Sequence, residues 1–260
     1  MTIYWVSLAA ILLFAGLSWV ASVFIGKVSF VDSLWSLFFL LAALLFAAEA
    51  MPLSARGMIV LALVAIWSLR LCVHITARNW GEPEDYRYAT IRRNNEPGFV
   101  VKSLVIVFGL QGLLAWIIAA PLLPAISSHA PLGVIDLLAF LVWTTGFIFE
   151  AVGDYQLRQF KADGRNAGKV LDTGLWRYTR HPNYFGDFCI WWGFWLFAAA
   201  GGGWWTVFAP LLMSFLLLKV SGVAMLEKTI RSRRPEYAEY IESTNAFFPG
   251  PRRTINGDRI

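Results

Sequence analysis

Residues 3–25, IYWVSLAAILLFAGLSWVASVFI, hold no charged side chain. Such a run leaves the backbone few options, because its N–H and C=O groups, once in hydrocarbon, must be bonded within the protein itself. A helix rising ~1.5 Å per residue covers ~30 Å of hydrocarbon with ~20 apolar residues. Six more runs approach or exceed that length, at 29–48, 57–77, 100–123, 132–152, 184–200 and 204–225. Composition agrees: charged residues are 15% of the chain, against about 25% in soluble domains. The predicted fold is all-α, a polytopic membrane bundle of seven transmembrane helices. The first run lacks a basic leader and exceeds the ~7–15 residues of a signal-peptide core, so it is expected to be retained.

Lys and Arg collect in three blocks, RNWGEPEDYRYATIRRNNEPG, DYQLRQFKADGRNAGKVLDTGLWRYTRHPN and LEKTIRSRRPEYAEYIESTNAFFPGPRR. PLLPAISSHAPLG and AAAGGG carry none. Short cytoplasmic loops hold the positive excess in membrane proteins, which predicts the N-terminus outside and the C-terminus in the cytoplasm. The net charge of +5 then needs no nucleic acid, and a basic face also suits anionic lipid headgroups. Cys72 and Cys189 fall inside predicted spans, so neither a disulfide framework nor a metal site is indicated. The chain reads as one integral membrane domain, 1–260. In the third block Pro235 is expected to open a surface helix with Glu236 and Glu239 in its first turn. Tyr237, Tyr240 and Ile241 would then share one side.

Ionisable groups within hydrocarbon are costly and so mark candidate functional positions. These are Asp32, Arg70, His74, Glu150, Asp154, Asp187 and Lys219. Arg70, His74 and Arg78 repeat every fourth residue, as do Glu150, Asp154 and Arg158, and each set shares a helix face. A structural pair of Arg70 with Asp32 is an alternative use of those two. Asp154, Asp187 and Lys219 are close enough to helix ends to reach outward to water, and Asp136 and His129 are expected simply to meet it.

In DTGLWRYTRHPNYFGD the apolar run after Asn183 starts a helix, with Asn183 expected as its N-cap and Asp187 in the first turn. Arg177, Arg180 and His181 lie just upstream of an N-terminus that offers amide donors to an anion. An interfacial Arg/Trp belt accounts for Arg177 and Trp176, though not for His181, Asn183 and Asp187 together. The chain has no Gly-rich phosphate loop and no hydrolase elbow.

RHPNYFGD ahead of an apolar span, with LEKTIRSRRPEYAEYIESTNAFFP near the end, resembles the membrane superfamily of steroid 5-alpha-reductases, sterol reductases and isoprenylcysteine carboxyl methyltransferases. The likeness is closest to bacterial steroid 5-alpha-reductase-like proteins, is strongest over 145–250 and is thin before residue 55. Its methyltransferases share the pattern through Arg180, His181, Pro182, Tyr184 and Gly186, with a Glu that Glu227 matches. Its reductases add the Asn and the acid that Asn183 and Asp187 match.

The resemblance implies an NADPH-binding region over 145–250, in a protein of the bacterial inner membrane. Tyr178 and Asn183 would hold the nicotinamide half, and Asp154 would contact the cofactor. Arg78, Arg158, Lys161, Arg177 and Arg180 would meet its phosphates. The implied reaction is reduction of a conjugated double bond in a lipid or steroid-like substrate, with His74, Asp32 or Tyr88 as the acid on the carbonyl oxygen. The family's early Gln-Glu pair is missing and Ile75 stands beside His74, so the substrate is left open. S-adenosylmethionine-dependent lipid methyl transfer and non-catalytic lipid binding are the competing readings.

Overall fold

The computed structural model describes residues 2–220 and 237–253. All regular structure among them is helical. The helices are α1 (Thr2–Ile25), α2 (Phe30–Glu49), α3 (Ala55–Asn79), α4 (Tyr86–Asn95), α5 (Phe99–Ile118), α6 (Leu122–Ser127), α7 (Val134–Ala162), α8 (Pro182–Ala200), α9 (Trp204–Val220) and α10 (Tyr237–Ser243). Five of them, α1, α2, α3, α5 and α7, are long and apolar enough to cross a membrane, which makes this a multi-pass membrane protein. The sixth and seventh expected spans correspond to α8 and to the shorter α9, neither of which belongs to that set. The expected start of the tail helix at Pro235, with Glu236, lies outside the described residues.

Two boundaries differ from expectation. Span four, expected to run to 123, ends at Ile118, because Pro121 has no N–H to continue the ladder. It also contains a π-turn, Leu104–Gly109. Span five, expected to end at 152, continues helically to Ala162. Polar composition marked where the apolar run stops, but Gln156, Arg158 and Lys161 are good helix formers.

The chain forms two compact units, Met1–Asp136 with Phe197–Ala209, and Leu137–Leu196 with Pro210–Ile260. In the first, α1 buries Ser7, Ile11, Ala15, Ser18 and Ser22 at helical spacing. The three serine hydroxyls donate to carbonyls of Tyr4, Phe14 and Trp19 in their own helix, each at 2.7 Å, so the face is small without being unsatisfied. Small residues are what allow helices to meet closely in lipid. Tyr4 and Trp116 exchange side-chain-to-carbonyl bonds of 3.0 and 2.8 Å, tying α1 to α5. Ser36 Oγ donates to the Ser68 carbonyl at 2.8 Å between α2 and α3, where Phe38, Phe39, Phe46 and Trp67 are fully buried.

Asp136 does not meet water, contrary to expectation. It is 5% exposed and takes both prongs of Arg56, at 2.6 and 3.0 Å. The same guanidinium donates to Ser128 Oγ and to the carbonyls of Ala130 and Pro131. The planar Arg fork suits this bidentate, multiply bonded role. Removing either charge would leave the other buried and unpaired, which typically costs ~3–5 kcal/mol.

In the second unit α7 and α8 run antiparallel with backbones in contact at glycines. A methyl group on Gly146 would lie 2.5 Å from the Gly186 carbonyl oxygen and 2.8 Å from Cys189 Cβ. One on Gly193 would lie 2.9 Å from Trp143 Cβ, and one on Gly153 3.1 Å from Pro182 Cγ. Gly186→Ala is therefore expected to destabilise the protein by ~1–3 kcal/mol through overpacking. Gly16→Ala, where nothing lies within 4 Å, should leave the thermal midpoint in detergent unchanged; equal melting of the two variants would contradict this packing.

Candidate functional site

The second block closes on α8. Pro182 occupies its first helical position, where a missing N–H is harmless, and Phe185 N–H donates to the His181 carbonyl at 3.0 Å. The helix thus starts two residues earlier than expected, so Asn183 is not its N-cap and Asp187 lies beyond its first turn. Asn183 instead uses both ends of its amide. Nδ2 donates to Asp154 Oδ1 on α7 at 3.2 Å, while Oδ1 accepts from the Tyr184 amide at 3.1 Å. Asp154 is 6% exposed and Glu150, one turn earlier, is 3% exposed. Asp154 therefore does not take the alternative course of reaching outward to water. It is turned inward because Gly153 lets α8 come close at this level.

His181 is buried and its ring stacks on Tyr184, centroids 5.6 Å apart and planes 15° from parallel. Asp187, half-buried, lies one turn beyond Asn183 on α8. Further along the acidic face of α7, Arg158 and Lys161 are exposed, as are Arg177 and Tyr178 in the connector. Gly174 turns that connector at φ +61°, with the Gln156 side chain in the place of its missing Cβ. Gln156 Oε1 accepts from the Leu175 amide at 3.0 Å, and Trp176 Nε1 donates to the Gly153 carbonyl at 3.1 Å.

Arg180 differs from the other expected phosphate contacts. It is 6% exposed, and its Nη1 donates to the carbonyls of Ile241 and Thr244 at 3.0 and 2.5 Å. Glu227, the remaining member of the expected set, lies outside the described residues.

A second polar cluster occupies the first unit. Tyr88, on α4, is 6% exposed. Its hydroxyl donates to Asp32 Oδ1 at 2.5 Å and accepts from Gln111 Nε2 at 2.9 Å. Arg87 donates to Asp32 Oδ2 at 2.8 Å and is itself held by Asp85, at 3.0 Å. Burial, then the negative charge of Asp32, pushes the Tyr88 phenol well above its usual range, so it is a proton donor throughout the neutral range. Two of the three expected acids, Asp32 and Tyr88, are thus joined directly. His74 sits half-buried on α3, with Arg78 exposed one turn on.

Sequence reasoning missed Gln111 and Glu84. A lone amide in an apolar run was the available signal for the first. Nothing local marked the second: Glu84 accepts from the Val28 and Ser29 amides at 3.0 and 2.8 Å, 56 and 55 residues away.

Residues 18–244 match the family described as protein of unknown function, DUF1295. The chain belongs to that family. An uncharacterized protein of Schizosaccharomyces pombe is 27% identical over 261 residues, covering 89% of this chain and 75% of that one. The 3-oxo-5-alpha-steroid 4-dehydrogenase 1 of Rattus norvegicus is 32% identical over 83 residues, 32% of this chain and 31% of that enzyme. No solved structure matches the chain.

Glu84 gives a pH test of this architecture. Burial works against its charge, but the Ser29 and Val28 amides and Arg92 outweigh that and hold its carboxyl below the usual range. A depressed folded-state pKa stabilises above the unfolded value of about 4.3 and loses that contribution as pH falls through the folded one. Glu84→Gln should therefore cost ~1 kcal/mol near neutrality, as for a lost helix cap. The gap from wild type in denaturant unfolding should shrink below about pH 4; a gap independent of pH would remove the carboxylate from this role.

Proposed function

We propose that this protein is a membrane-embedded oxidoreductase that uses NADPH to reduce a conjugated double bond in a lipid or steroid-like substrate. Oxidoreductase chemistry is supported by the partial likeness to a steroid dehydrogenase. The observation that carries the NADPH assignment is the hydrogen bond between buried Asp154 on α7 and half-buried Asn183 at the start of α8, in the same unit as the exposed cations Arg158, Lys161 and Arg177. Amide and acid groups suit a carboxamide such as that of nicotinamide, which offers both a donor and an acceptor. Guanidinium forks suit phosphate oxygens. The donor set therefore fits the dinucleotide chemically.

With Asn183, Asp154 and the cations holding it, the cofactor would supply hydride chemistry for the β carbon of a conjugated carbonyl. The chain's own contributions are placement and charge. Asp154 orients Asn183, and Tyr184 and His181 stack beside it, so the amide is preorganised before ligand arrives. We assign polarisation of the carbonyl oxygen to Tyr88, which would turn its single proton from Asp32 to the substrate oxygen, with His74 or Asp32 as the alternative acid. Asp187 and Glu227 belong to the proposed cofactor set, and Arg78 to its cations. The same reading keeps seven spans with the N-terminus outside and a cytoplasmic C-terminus, residues 145–250 as the cofactor-binding region, and the bacterial inner membrane as the location.

Calorimetry on detergent-purified protein with NADPH, NADH and S-adenosylmethionine in turn is the test. Micromolar binding of NADPH is expected, with Asn183→Ala weakening it by about tenfold, the equivalent of one hydrogen-bonded contact. Arg165→Ala, which removes an exposed side chain, should leave it intact. Tight binding of S-adenosylmethionine alone would replace this reading with lipid methyl transfer, and binding of none of the three would leave a lipid-binding protein.

A further inference from the structure

The segment 240–253 is bonded along its length to the connector that leads into α8. Tyr240 donates its hydroxyl proton to the Trp176 carbonyl. The Arg180 amide donates to the Asn245 carbonyl at 2.9 Å, and its guanidinium donates to Ile241 and Thr244. Thr179 Oγ1 donates to the Phe247 carbonyl at 2.8 Å, and the Gly250 amide to the Tyr178 carbonyl at 3.0 Å. Arg252 pairs with Asp172 at 2.9 Å. Phe247 is buried, edge-on to Phe185 and Phe188 of α8, at 6.0 and 5.5 Å.

The partners run from Asp172 to Phe188, which brackets His181, Asn183 and Tyr184. Every one of those bonds on the connector uses backbone or an anchoring side chain, and the central one belongs to Arg180. A buried guanidinium that donates to carbonyls of residues 241 and 244 has its charge committed to ordering chain, where each bond to a charged group is strong.

We infer that 240–253 is a strap that braces the ligand site from behind, and that Arg180 is its positioning residue rather than a phosphate contact. The inference rests on reading the start of α8 as the cofactor site. Its mechanical content is that the strap holds residues 178–185 in the one arrangement where Asn183 reaches Asp154. The strap therefore acts on affinity without touching ligand, and loss of Arg180 acts on affinity through the strap.

The experiment is a double-mutant cycle on the full chain in detergent, using Arg180→Gln and a chain ended after Glu239, with NADPH affinity as one readout. Each alone is expected to weaken NADPH by about tenfold or more, and the combination by no more than the worse of the two. Arg180→Lys, which keeps charge and donors, should recover part of the loss. Multiplied losses in the combination would make Arg180 a direct ligand contact and overturn the inference.

The second readout is hydrogen exchange without ligand, which does not depend on the cofactor. Arg180→Gln should speed exchange at the Gly250, Arg253 and Phe185 amides while those of α1 stay protected, a contrast that global unfolding would not produce. Unchanged exchange at those amides would sink the strap whatever the binding results. Fast exchange with no NADPH binding by the wild type would instead leave the strap standing and reject the cofactor assignment.

Discussion

The backbone contact between α7 and α8 is what the rest of the second unit depends on. Lipid tails are as apolar as leucine, so no hydrophobic gain drives helix against helix, and association comes from close packing and interhelical hydrogen bonds. Gly146 on one helix, with Gly186 and Gly193 on the other, leave no room for a single added methyl without displacing backbone or Cβ atoms, and Gly153 is tightly apposed to Pro182. At this separation the short side chains of Asp154 and Asn183 span the gap with one 3.2 Å bond. One methyl further apart, neither would reach. Gly186 within RHPNYFGD thus has a packing role before any chemical one.

Polar groups in both units are tolerated because they are consumed by one another. Burying a charge without a partner is expensive, and the two described clusters of the first unit answer that in different ways. Arg56 and Asp136 close a bidentate pair whose remaining donors go to hydroxyl and carbonyl oxygens. Asp32 instead accepts from a phenol and a guanidinium, and the phenol is completed by Gln111. The first arrangement is saturated and nearly sealed, which is the signature of a structural clamp. The second leaves Asp32 and Arg87 partly exposed, with side chains 19% and 28% accessible, and contains a phenol that keeps its proton. The difference lies in access to Asp32 and Arg87, since Tyr88 itself is as buried as Asp136.

The connector into α8 shows how one motif serves helix initiation, packing and cross-chain bonding at once. Pro182 starts the helix, Gly186 admits α7, Asn183 makes the cross-helix bond and Arg180 gathers the C-terminal segment. Such overlap explains why a short polar stretch stands out in an apolar chain. Each side chain there answers a different neighbour.

Read alone, the sequence determined that the chain is helical and crosses a membrane, because uncharged runs of this length leave the backbone no partner but itself. It also singled out Asp154, Asn183, Asp32 and Tyr88, which the structure joins as two hydrogen-bonded pairs. It misjudged Asp136 and the ends of two helices, and it missed Gln111, Glu84 and Arg56, since local periodicity says which face a residue occupies and nothing about which distant group meets it. Arg56 finds Asp136 80 residues away and Arg180 finds Thr244 64 away. Only the tertiary structure decided those pairings, because the free energy of a buried charge depends on the atoms around it and not on its place in the chain.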